Sequence, residues 1–294
     1  MLFEDDNDYK IIEVNGLAFP IPFFKTEEEI LQRFLYVKNF PYKAGDVLLC
    51  SCPKTGTHWL TNLLHYLMYD GQLDDMLSYQ PYLVDFHDIE EEVQRNGRRI
   101  ISSHFPPKHL PVEHFAKGGK TILLFRNPKD TAVSMFHMLR KQKIYVNFKL
   151  SWDTYLKYWL EGKIPMGSYF EYYNSWQKEL NKRPDLDILI VQYEDLKRDS
   201  LHELRRIKKY LGLHHSDERL KAVLNKCSLE NLKADVDSGE VKTRLTDEKG
   251  ISILFRKGII GDWKNHFTVA QNQEFEAIVN EKLKNSIFNY KLWN

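Results

Sequence analysis

Four short runs dominated by Val, Ile and Leu punctuate the chain: DVLLCS (46–51), RRIISS (98–103), KTILLF (120–125) and DILIVQ (187–192). Runs this short, without apolar/polar alternation and mostly followed by helical patterns, belong to strands covered on both faces. They predict an α/β fold around a central, mostly parallel sheet flanked by helices. At 294 residues the chain can bury a large core. No internal repeat, low-complexity segment or linker divides it, so residues 1–294 are expected to form a single domain.

The run at 46–51 leads into CPKTGTHWLTNLLHYLM (52–68), where Trp59, Leu60, Leu63, Leu64, Leu67 and Met68 recur at helical spacing. The intervening turn therefore lies between the carboxyl end of a strand and the start of a helix. Ligands of open α/β sheets bind at such places, and a helix N-terminus offers free N–H groups to an anion. Gly56 lets backbone approach closely, Thr55 and Thr57 bring hydroxyls, and Lys54 brings a point charge. The turn is P-loop-like without being a Walker A motif, because the lysine precedes the glycine.

A second strand and helix, KTILLFRNPKDTAVSMFHML (120–139), place Arg126 at a strand end, a helix start at or near Asp130, and Ser134 about two turns in. FRKG (255–258) adds Arg256 and Lys257 beside Gly258, following a long polar stretch, 233–250, that reads as a mobile loop or lid. LAFPIPFF (17–24) and QPYLVDF (80–86) read as ordered aromatic loops over an apolar cavity.

A formal net charge of +1 gives no reason to expect nucleic acid as a partner, and the basic clusters RKQK (140–143) and RRIKK (205–209) read as solvated helix faces. Three cysteines are too few for a disulfide framework, and no His/Cys or carboxylate cluster has metal-ligand spacing, so no metal is expected. The acidic start MLFEDDNDYK is unlike a targeting peptide, and the apolar runs are too short to cross a bilayer. A cytosolic location without membrane association is the expectation.

CPKTGTHW, RNPKD, VQYEDL and FRKGIIGDW, in this order and at these separations, resemble the signature segments of the cytosolic sulfotransferases, from about residue 20 to about residue 290. That resemblance implies 3′-phosphoadenosine-5′-phosphosulfate (PAPS) as sulfuryl donor and adenosine 3′,5′-bisphosphate (PAP) as product. Lys54, Thr55, Gly56, Thr57 and His58 would cradle the 5′-phosphosulfate. Arg126, Ser134, Arg256, Lys257 and Gly258 would hold the 3′-phosphate, and Trp59 and Tyr193 would flank the adenine. His104, in ISSHFPPKHLP (101–111), matches the family's catalytic histidine, with His109 ranked below it.

Several positions depart from the family pattern. Ser102 replaces a lysine, His58 a Thr or Ser, and Cys227 and Leu229 the usual adenine contacts. Gln273 replaces the acid in a segment, KNHFTVAQNQ (264–273), similar to the family's dimerisation segment, which makes a homodimer an expectation.

The function implied is sulfuryl transfer from PAPS to a hydroxyl or amine of a small hydrophobic acceptor, with His104 as base and Lys54 meeting the charge on the leaving phosphate. Phe24, Tyr82, Phe86, Met138, Tyr169 and Phe255 are candidate acceptor-pocket residues alongside His104. The alternatives are a Mg²⁺-dependent nucleotide or small-molecule kinase, and a PAPS-binding protein without turnover.

Overall fold

The computed structural model describes residues 11–20, 23–69, 73, 83–87, 98–145, 148–239, 241, 243 and 245–288. In chain order the strands are β1 (Ile11–Val14), β2 (Leu17–Pro20), β3 (Val47–Ser51), β4 (Ile100–Ser103), β5 (Lys120–Phe125) and β6 (Ile188–Gln192). The helices are α1 (Glu27–Lys38), α2 (Thr57–Met68), α3 (Val112–Ala116), α4 (Pro128–Lys141), α5 (Trp152–Glu161), α6 (Tyr169–Lys182), α7 (Tyr193–Arg198), α8 (Ser200–Tyr210), α9 (Asp217–Lys226), α10 (Leu229–Asp237) and α11 (Val269–Lys282).

All four Val/Ile/Leu runs form strands of one parallel sheet, in the order β4-β3-β5-β6. Alternate side chains divide between two cores. Leu48, Cys50, Leu123 and Phe125 face one, built with α1, α5 and α6, while Val47, Leu49, Ile122 and Leu124 face the other, built with α2, α8 and α9. Leu60, Leu63, Leu64 and Leu67 of α2 are buried in the second core, as their spacing predicts. Burying one such side chain stabilises the fold by about 1.5–3 kcal/mol, which favours the register that keeps both faces covered.

From β3 the chain moves to β4 on one side, and from β5 it moves to β6 on the other. The crevice between the carboxyl ends of β3 and β5 is therefore the switch point where open α/β sheets bind ligands. Register fixes the neighbourhood: Cys50 pairs with Ser103 and Ser51 with Leu124, so the residue after β4, His104, and the residue after β5, Arg126, both emerge beside the turn after Ser51.

Helix α4 starts at Pro128, near Asp130 as expected, with the Asn127 side chain accepting from the Lys129 N–H. Two expectations need refinement. Residues 17–20 are not loop but β2, paired antiparallel with β1. The first part of the polar stretch 233–250 completes α10, Thr246 bridges to Ser252, and Thr243, Leu245 and Asp247 line the cavity described below. Among the described residues no helix is long and apolar enough to cross a membrane.

Candidate active site

The turn after β3 is built to leave N–H groups free. Thr55 is fully buried, its hydroxyl donating to the Cys52 carbonyl at 2.7 Å, so it braces the turn from within. Lys54 (φ 69°) and Gly56 (φ 110°) both take left-handed conformations, a strained choice for the lysine. A Cβ on Gly56 would stand 2.7 Å from Cδ2 of Tyr193, so glycine is required on two counts. Gly56 caps α2 without any side-chain hydrogen bond, the first turn of α2 carries no acid, and Gly56, Thr57, His58 and Trp59 all line the cavity, so this helix end is open to an anion there. Thr57 shares a 2.7 Å hydrogen bond with Ser51.

Cations converge on this turn. Arg126 donates to the Lys54 carbonyl at 3.2 Å and to the Ile259 carbonyl at 3.3 Å, and its guanidinium lies 4.2 Å from the centroid of the Tyr193 ring. Its buried Nε has no hydrogen-bond partner. Arg256 and Lys257 share Asp262, whose carboxyl burial would push up but whose hydrogen bonds from Lys257, Asn265 and Arg256 hold well below the usual range. The segment that carries them is moored to α4, with the Gly261 and Trp263 N–H groups donating to Asp130 at 2.7 and 2.9 Å. Gly258 (φ 61°) and Ser134 complete this side of the cavity.

Among the described residues no carboxylate pairs with Lys54 or Arg126. Burial, with Arg126 and Arg256 adding repulsion, pulls the Lys54 ammonium down to about 8. Positive charge concentrated to the point of self-repulsion, beside unbonded helix N–H groups, is a site shaped for a polyanion.

Beside the turn, on the neighbouring strand end, His104 follows β4 directly. Its Nδ1 lies 2.7 Å from the Ser51 carbonyl oxygen, which can only accept, so Nδ1 carries the proton and Nε2 is the basic nitrogen. Burial, opposed by that hydrogen bond and aided by Lys54, lowers its pKa to about 4 and keeps the ring neutral at pH 7. His58, on the first turn of α2, is lowered to about 3 by burial and then by Lys54 and His104. Ser102 is fully buried against Thr61 at 3.4 Å and brings no charge to the site.

Lys54, Gly56, Thr57, His58, His104 and Arg126 line one cavity of about 780 Å³ together with Arg256 and Lys257, whereas Thr55 and Ser102 lie behind its wall. Trp59 and Tyr193 meet edge to face at 5.6 Å on one wall, and the Trp59 indole N–H donates to the Cys227 carbonyl at 3.0 Å, which brings Cys227 and Leu229 to that wall. Phe86, Met138 and Phe255 also line the cavity.

Two expected acceptor residues do not line the cavity. Phe24 is buried against Phe19 at 5.3 Å, and its neighbour Phe23 lines the cavity instead. Tyr169 is buried with its hydroxyl donating to the Arg126 carbonyl at 2.6 Å, so it positions the strand end from behind. Tyr82 lies outside the described residues. His109 is stacked on Phe34 at 3.9 Å, away from the cavity. Asp85, which the sequence reading passed over, receives the Ser103 hydroxyl and the His104 N–H, both at 2.5 Å.

Residues 44–287 match the sulfotransferase domain family. Sulfotransferase 1E1 of Bos taurus is 31% identical over 284 residues, 92% of this chain and 93% of that one. Human sulfotransferase 2A1 is 30% identical over 274 residues, covering 91% and 93%. Among solved structures, mouse sulfotransferase SULT7A1 complexed with PAP superposes with a TM-score of 0.76 at 28% identity, over 96% of this chain and 98% of that one. Retinol dehydratase in complex with androsterone and PAP shares the fold, with a TM-score of 0.76 at 20% identity, over 97% and 92%. By that domain match and by relatives alike across nine-tenths of its length, the chain belongs to the sulfotransferase family and is a sulfotransferase enzyme.

Proposed function

We propose that His104 is the general base, and Lys54 with the first turn of α2 the anion clamp, by which this PAPS-dependent sulfotransferase sulfates a hydroxyl of a small, largely apolar acceptor. The observation that carries the reading is that a neutral histidine with a bare Nε2 lines the same cavity as Lys54 and Arg126, cations with which no carboxylate pairs among the described residues. PAPS supplies an activated sulfuryl group whose leaving phosphate is already stable as an anion.

The chain fits a donor of that shape. Lys54 and the Cβ-intolerant Gly56 mark one anion cradle, and the unbonded Nε of Arg126 with Ser134, Arg256, Lys257 and Gly258 a second, suited to the two phosphate sites PAPS presents. Trp59 and Tyr193 offer aromatic surface between them for a base. His104 Nε2 takes the acceptor proton while Lys54 offsets charge on the departing phosphate oxygen. Phe23, Phe86, Met138 and Phe255 exclude water and orient an apolar acceptor, whether phenol, steroid, other alcohol or amine.

PAP should raise the melting temperature strongly, and ATP with Mg²⁺ much less, because a ligand stabilises in proportion to its occupancy of the native state. Preference for ATP with Mg²⁺, and turnover abolished by EDTA, would favour a kinase.

We also infer that residues 264–273 mediate self-association in the cytosol. Val269 is 76% exposed there, while Thr268 and Gln271 form a capping box that holds the start of α11 rigid. Sedimentation of V269D should give a monomer.

A further inference from the structure

We propose that Asp85 is a positioning residue for the reaction, a buried carboxyl that joins the wall of the acceptor cavity to the strand end carrying the base. This inference rests on the reading of His104 as general base. Residues 83–86 lie along the outer edge of β4: Leu83 bridges in parallel to Ser102, and the Val84 N–H donates to the Ser102 carbonyl at 3.0 Å. Leu83 and Phe86 line the cavity. Between them Asp85, fully buried, turns inward and accepts from the Ser103 hydroxyl with Oδ1 and from the His104 main-chain N–H with Oδ2. Ser103 Oγ in turn accepts from the Phe105 N–H at 3.0 Å. Three consecutive residues of the base-bearing turn therefore hang on one carboxyl group that itself belongs to the acceptor wall.

The surroundings make this carboxyl sensitive to pH. The groups facing it are the Arg33 guanidinium of α1, the Cys50 thiol of β3, the Tyr172 phenol of α6, and the Ser103 and His104 donors. Thiol and phenol are both pushed up by burial and stay neutral, so among the described residues Arg33 is the cation opposing the burial of Asp85. Burial outweighs the hydrogen bonds and Arg33, and raises the Asp85 pKa to about 7. Protonation places a hydrogen on an oxygen that must also accept. The His104 N–H cannot reverse, so the Ser103 hydroxyl must, and charge-assisted bonds become ordinary ones that hold the imidazole less firmly.

The sign follows. His104 is already neutral above about 4, so a rise of kcat with pH centred near 7 belongs to Asp85. Its raised pKa also means that the ionised carboxyl costs stability above about 7, so Asp85→Asn should fold and melt no lower than wild type at pH 8.

The test is the pH profile of kcat for wild type, Asp85→Asn, Ser103→Ala and His104→Ala, with PAP binding measured alongside. Asp85→Asn should lose about 10- to 100-fold in kcat at pH 8, show no limb near pH 7, and bind PAP as wild type does. Ser103→Ala should move the limb to higher pH, because it removes a hydrogen bond that favours the carboxylate. An Asp85→Asn enzyme with wild-type kcat and an unmoved limb overturns the proposal. Should that variant not fold, an unmoved limb in Ser103→Ala overturns it equally. Full activity in His104→Ala would instead overturn the base reading, whereas an inactive His104→Ala beside a wild-type Asp85→Asn would overturn the positioning role alone.

Discussion

Nδ1 of His104 donates to the main-chain carbonyl of Ser51 at 2.7 Å, so the residue that ends β3 and opens the anion turn also sets the tautomer of the histidine at the end of β4. Base and clamp are thereby registered to each other through two adjacent strands of one rigid sheet. Loops alone would not hold an imidazole nitrogen to the tolerance that proton transfer requires.

Lys54 should couple donor binding to pH. With the ammonium lowered to about 8 in the free protein, it is charged at pH 7 and loses its proton above about 8. A bound polyanion restores the charge, so the Kd for PAP should weaken by up to about tenfold per pH unit above that value. Isothermal titration across pH 7–9.5 checks this. Lys54→Met should bind more weakly at pH 7 and lack the dependence.

Gly56→Ala should damage the nucleotide site and the fold together. The added Cβ meets the Tyr193 ring at 2.7 Å, and the left-handed backbone is unfavourable for alanine, so a loss of about 1–3 kcal/mol is expected. Urea denaturation reads the stability, and calorimetry should show weaker PAP binding in the fraction that remains folded.

Arg256→Ala should discriminate between nucleotides. Loss of a charged hydrogen bond to a 3′-phosphate corresponds to about 10- to 100-fold weaker PAP binding, while adenosine 5′-phosphate, which lacks that group, should change about threefold or less. Competitive displacement measurements with the two nucleotides provide the comparison.

Much of this was legible in the sequence because the signals were local. The four Val/Ile/Leu runs became the four parallel strands, and the glycine-bearing turn between strand and helix became the open N-terminus of α2. What stayed hidden depends on tertiary partners. Phe23 and Phe24 are indistinguishable in composition, and only the packing of Phe24 on Phe19 shows that Phe23 is the one lining the cavity. Tyr169 read as a lining aromatic, yet its hydroxyl is taken by the Arg126 carbonyl behind the site. Asp85 sits in an unpatterned stretch, and only its pairing with the end of β4 reveals it. LAFP looked like loop because prolines obscured a strand of four residues that ends at Pro20.

The most direct test of the account is the activity of His104→Ala with PAPS and an unactivated alcohol, paired with PAP affinity. A general base commonly contributes about 10²–10⁴-fold, so kcat should fall by at least that factor while the Kd for PAP stays within about twofold. Nitrophenol acceptors, whose hydroxyls are already acidic, should retain the most activity. Turnover near wild type in His104→Ala, with activity lost instead in His109→Ala, would contradict the assignment and place the base elsewhere than at the end of β4.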